Sequence, residues 1–313
     1  MDQLHQQQPN AVLEGFDELL RSVDWMRTLV EVALEDDDSE ISDDDDDLHT
    51  PTLLRDPSTG VTYRKMIIPP REERPGSIST GNEEWNCMLR AAHLYREHSA
   101  LAGVIGIKDD QANCPDTVLV EHPVQSVTLR EWVLFNDGGI EELRAQKMFV
   151  PMLKLMLDFS HHPVLDCRHI GFPHPDFFVA HLIILPDCKL QYCYQPISPN
   201  HHRGTVDSLF TMSPESAKGE VNCRTTQQWS WALGVLLYTL LTGDFPFTSK
   251  CFAELTRKIT TANLDYTRLA IMNVSQEVQD LLRRVLVVDP DERLTLHDIW
   301  RHPWIHMDLE QHP

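Results

Sequence analysis

The sequence predicts an α+β chain with strands in its first half and helices in its second. Three observations carry this. Ala232 to Leu241 is apolar on every side, interrupted only by Gly234 and Thr239, as a helix buried all round must be. Ile140 to Phe159 has the periodicity of a long amphipathic helix. Ahead of both, short strand-like runs cover Val61 to Ile68, Ala102 to Ile107 and Thr117 to Val120, the first preceded by the turn signal Asp56-Pro57-Ser58-Thr59-Gly60.

The apolar run is too short to span a bilayer, and no other stretch is long enough, so no membrane segment and no secretory leader is expected. Gly243 is placed to end the central helix and Pro246 to prevent its continuation. The seven cysteines are odd in number and contain no C-x-x-C pair, which predicts reduced thiols in an intracellular protein, cytoplasmic or nuclear. Of the net charge of −21, residues 1–50 carry −14, with sixteen Asp and Glu against Arg21 and Arg27. Such a surface repels nucleic acid and anionic lipid.

From Ala11 to Leu34 the apolar residues Val12, Phe16, Leu19, Val23, Met26, Val30 and Ala33 step by four and three, which predicts an amphipathic helix. It would pack on the body of the protein or dock in a partner's groove. Glu35 to Asp47 follows as a self-repelling acidic linker, in which Ser42 precedes three aspartates in the manner of an acidophilic kinase target.

Past the central helix come Asp289-Pro290-Asp291-Glu292-Arg293-Leu294-Thr295 and His302-Pro303-Trp304. With Trp229 to Phe247, WSWALGVLLYTLLTGDFPF, these resemble the later C-lobe of eukaryotic protein kinases. The resemblance implies a two-lobed kinase-like fold with a reduced β-rich N-lobe and a mainly helical C-lobe. Residues 1–50 would be helix and linker, 51–123 the N-lobe, 124–308 the C-lobe and 309–313 a tail.

On the same resemblance Lys65 matches the ATP-anchoring lysine, yet no G-x-G-x-x-G run precedes it to close over phosphates. Glu83 to His98 is similar to the regulatory helix, Glu121-His122-Pro123 to the hinge, and Thr128 to Trp132 to the short helix after it. Gly171-Phe172-Pro173-His174-Pro175-Asp176 resembles the G-I-V-H-R-D run, so Asp176 keeps the position of the catalytic base. The remaining positions are altered: Pro175 replaces the arginine, Phe178 the catalytic-loop lysine, His181 the metal-binding asparagine and Tyr194 the D-F-G aspartate. Imidazole prefers softer metals than Mg²⁺, which demands oxygen ligands. Ser213-Pro214-Glu215 resembles A-P-E, whose glutamate pairs in the family with the arginine at Arg293.

The pattern implies a pseudokinase, similar to the Tribbles-related group. The expectation is a non-catalytic adaptor or scaffold for signalling proteins, with Mg·ATP binding absent or weak. Recruitment of an E3 ubiquitin ligase, a property of that group, lacks an evident tail motif here, since only nine residues follow Trp304. The alternatives are a divergent Ser/Thr kinase using Asp176 as base, or a regulatory subunit pairing through helix 11–34. Histidines and cysteines crowd residues 161–202, but none has a metal-motif spacing, and no metal site is expected.

Overall fold

The structure, a computed structural model, describes residues 30–32, 52–55, 57–58, 62–67, 98–101, 104–108, 117–121, 127–135, 138–161, 182–185, 187–192, 210–219, 226–249, 251–262, 264 and 266–309. These fall into two compact units.

The first unit is a five-stranded antiparallel sheet. Its strands are β1 (Val30–Val32), β2 (Thr52–Arg55), β3 (Thr62–Ile67), β4 (Val104–Lys108) and β5 (Thr117–Glu121), in the order β1-β2-β3-β5-β4. Pro57 and Ser58 form the turn after β2, and Thr52 comes to lie opposite Lys65. A bulge between Val104 and Gly106 shifts the register of β4 against β5.

One expectation fails here. Val30–Val32 is an edge strand, pairing antiparallel with Arg55 to Leu53, and not the end of a helix over 11–34. The β-branched pair in Val-Glu-Val suits an extended backbone, and the exposed edge of β2 supplies its partner groups. Residues 11–29 of that predicted helix, the acidic linker 35–47 with Ser42, and 83–97 of the predicted regulatory helix lie outside the described residues. His98, which was to close that helix, is not helical.

The second unit holds residues 98–101 and every element from β6 onward. β6 (Val127–Thr128), β7 (Leu182–Ile184) and β8 (Leu190–Tyr192) form a small antiparallel sheet. The helices are α1 (Leu129–Phe135), α2 (Glu142–His161), α3 (Pro214–Ala217), α4 (Thr226–Thr242), α5 (Phe252–Thr261), α6 (Tyr266–Ile271), α7 (Gln276–Val285) and α8 (Leu296–Arg301). A 3₁₀ turn, Pro303–His306, follows α8.

The core is built around α4, buried from Gln228 to Thr242 as its apolar circumference requires. α2 packs beside it and buries Phe149, Met152, Leu153 and Met156, with Phe149 edge-on to Trp304. Pro151 forfeits one backbone bond of α2 without ending it. Two glycines let the backbones touch: a β-carbon on Gly139 would lie 1.8 Å from the Leu241 carbonyl oxygen, and one on Gly243 would lie 2.6 Å from Gly138. Gly243 itself ends α4 at φ +76°, a left-handed conformation that favours glycine. Thr295 and Asp298 close α8 with reciprocal capping bonds.

Candidate functional site

The hairpin of β7 and β8 is described in full and has a defined register. Leu182 pairs with Tyr192, Ile183 with Gln191 and Ile184 with Leu190. The turn between them is closed by Leu185 N–H donating to the Lys189 carbonyl at 2.8 Å, with Cys188 at φ 60°. In sequence, position 181 precedes this hairpin by one residue and position 194 follows it by two. Tyr192 N–H donates to the Ala100 carbonyl at 2.8 Å, and Leu101 bridges in parallel to Tyr192. The segment 98–101 thus extends the sheet on its far side. His98 anchors it: burial lowers its pKa against the opposing pull of the Asp158 carboxylate 4.0 Å away.

Asp176, Pro175, Phe178, His181 and Tyr194 themselves lie outside the described residues. Lys65 lies in β3 opposite Leu119, and Glu121 ends β5 opposite Tyr63, so the two sit at register positions two apart on paired strands.

Glu215 and Arg293 are brought together as their motifs imply. The guanidinium grips the carboxylate with two bonds, Nη1 to Oε1 at 2.8 Å and Nη2 to Oε2 at 2.9 Å. Arg293 further donates to the Val287 carbonyl at 3.0 Å and the Gln227 carbonyl at 2.8 Å, and lies over the Trp231 ring. Both side chains are buried. Burial opposes ionisation of Glu215, but the bond and charge of Arg293 outweigh it and hold the carboxyl below its usual range. Gln228 adds bonds to Ser213, the N-cap of α3, and to Ser216 within it, so α3, α4 and the loop after α7 form one polar-stapled corner. That corner positions a segment, with its side chains bonded to one another and to the backbone.

A second polar centre had no signal in the sequence. The Glu142 carboxylate accepts from Trp304 Nε1 at 2.7 Å, from Ser275 N–H at 2.7 Å and from the Ser275 hydroxyl at 2.5 Å. One turn on, Gln146 Nε2 donates to the Trp304 and Met307 carbonyls at 2.6 and 3.0 Å. An acidic residue at a helix start reads as an ordinary first-turn charge, so partners 133 and 162 residues away are invisible until the chain folds. Among the described residues no helix is long and apolar enough to cross a membrane, and no three potential metal ligands converge.

Comparison with known proteins adds the following. Residues 196–305 match the protein kinase domain family. The chain is similar to calcium-dependent protein kinase 27 of Oryza sativa subsp. japonica, at 31% identity over 149 residues, covering 46% of this chain and 24% of that protein. It is also similar to death-associated protein kinase 2 of Homo sapiens, at 26% identity over 256 residues, covering 80% of this chain and 66% of the relative. Among solved structures, the Rad53 kinase domain with SCD2 superposes with a TM-score of 0.60 at 18% identity, covering 90% of each chain. Of the first three curated relatives, the chain spans 24%, 34% and 29% of the length. The fold of this chain is that of a protein kinase.

Proposed function

We propose that this chain is a kinase-like domain that works by binding signalling proteins inside the cell and not by transferring phosphate. The observation that carries the reading is in the sequence: on the kinase resemblance the two metal-ligand positions fall at 181 and 194, and the residues there are histidine and tyrosine. Catalysis of phosphoryl transfer depends on metal and lysine neutralising the triphosphate. With Phe178 at the loop lysine and no glycine-rich run before Lys65, Asp176 alone cannot supply that. The finer assignment to a Tribbles-related pseudokinase, with or without recruitment of a ubiquitin ligase, rests on sequence resemblance alone.

The comparisons favour the second reading, a divergent Ser/Thr kinase with Asp176 as base, because the relatives reported above are named as protein kinases. The matched family segment begins at residue 196, beyond every one of the altered positions, so it speaks for descent and framework more than for chemistry. One experiment separates the two. The purified chain is titrated with Mg·ATP while melting is followed, and phosphate transfer to a generic acceptor protein is measured in parallel. The binding-module reading expects no shift and no transfer. Saturation by a ligand at a hundred times its dissociation constant adds about 2.7 kcal/mol, so a clear shift abolished by Lys65→Met, with transfer abolished by Asp176→Asn, establishes the kinase instead.

A further inference from the structure

We propose that His161 and His297 form a site for a transition-metal ion of the zinc class. The two residues lie 136 positions apart, at the end of α2 and in the first turn of α8, and their Nε2 atoms stand 2.8 Å apart. The rings meet edge to face with centroids 4.7 Å apart. His161 is held in a single tautomer: its Nδ1 lies 2.7 Å from the Leu157 carbonyl, which can only accept, so the proton is on Nδ1. Ser160 Oγ lies 3.2 Å from the same nitrogen. The lone pair of neutral His161 is therefore on Nε2, directed at His297. An imidazole whose second nitrogen is bonded to a carbonyl is the usual supported form of a metal ligand.

Without metal, His297 donates its Nε2 proton into that lone pair. When an ion enters, that proton moves to Nδ1 of His297, both Nε2 lone pairs face the ion, and no proton is lost overall. Two Zn–N bonds of about 2.0–2.1 Å at a tetrahedral angle set the nitrogens roughly 3.3 Å apart. The pair must open by about 0.5 Å, a small torsion for two side chains exposed to solvent. Imidazole selects zinc, copper or nickel and not magnesium. Among the described residues no third His, Cys, Asp or Glu joins the pair, so these residues supply a two-nitrogen chelate. The pairing was not legible from spacing, because His297 lies far outside the histidine-rich stretch.

The test is a calorimetric titration of the full chain with Zn²⁺, with Mg²⁺ as control, beside the variants His161→Asn, His297→Asn and both together. The chain has 16 histidines, so the difference between proteins is the readout. The expected result is one zinc site present in the wild type and weakened at least tenfold in each variant, with the double variant no worse than the singles. Unchanged binding in either single variant, or the loss of two separate sites in the double, overturns the proposal. A second measurement needs no substitution: Zn²⁺ should protect His161 and His297 together from carbethoxylation in the wild type, read by mass spectrometry, and Mg²⁺ should not. Labelling of either residue that zinc leaves unchanged also overturns it.

Discussion

Glu142 accepts the indole N–H of Trp304 at 2.7 Å, joining the first turn of α2 to the 3₁₀ turn that ends the helical unit. The same carboxylate takes the N–H and hydroxyl of Ser275, the N-cap of α7. Replacing Glu142 by Ala leaves these donors without their acceptor. Trp304 is buried whereas Ser275 is partly open to water, so chemical denaturation should show a loss of about 1–3 kcal/mol, the cost of one unsatisfied buried group. In a cycle with Trp304→Phe the two effects should fall short of additivity by at least 0.5 kcal/mol. Strict additivity would mean that the bond contributes nothing.

Arg293 donates to Glu215 and to backbone carbonyls, so it is more than half of an ion pair. Removing one partner of a buried pair leaves the other charge uncompensated, at about 3–5 kcal/mol. Arg293→Ala should therefore unfold far more easily than wild type. Arg293→Lys should recover only part of the loss, because an ammonium cannot reproduce the two-bond fork. Equal stability of the lysine variant and wild type would contradict the geometry.

The lowered pKa of Glu215 gives this pair a pH signature. A carboxyl whose folded pKa lies below its unfolded value of about 4.3 contributes fully above that value. Its contribution is lost as pH falls from there through the folded pKa. The stability gap between wild type and Glu215→Gln should accordingly be constant from neutral pH to about pH 5 and shrink below pH 4. Asp280 shifts the same way through its bond to His302, but it is largely exposed and should add little. Urea melts at four pH values check this; a gap that widens in acid would reverse the sign.

Gly138 and Gly139 make a paired test of backbone contact. A β-carbon on Gly139 collides with the Leu241 carbonyl, whereas one on Gly138 meets nothing within 4 Å. Gly139→Ala should cost about 2 kcal/mol or more, and Gly138→Ala should stay within about 0.5 kcal/mol. Comparable melting temperatures for the two variants would show that the approach of α2 to α4 is looser than described.

The central helix was legible because its composition allows no other placement: an all-apolar turn sequence has nowhere to go but the core. The Glu215–Arg293 pair was legible through motif resemblance, and its geometry adds the carbonyl bonds and the Trp231 stack. The strand at Val30–Val32 was misread because a four-and-three spacing continued into it, while the pairing that decides its conformation lies 25 residues on, at Arg55. Glu142 and His161 were unreadable for the same reason: each looks locally like an ordinary helix terminus, and its partner is brought by the fold.

The bond from Tyr192 to Ala100 has a practical consequence. Residues 98–101 lie between stretches of chain that belong to the sheet unit, yet they fold with the helices. No single cut of the polypeptide separates the two units. A fragment beginning at Ser126 would lack the outer partner of β8, leaving the Tyr192 N–H without its acceptor. Such an edge invites pairing with another copy. Expressed alone, the helical half should be prone to self-association, and adding a peptide spanning His98–Leu101 in trans is the natural remedy to try.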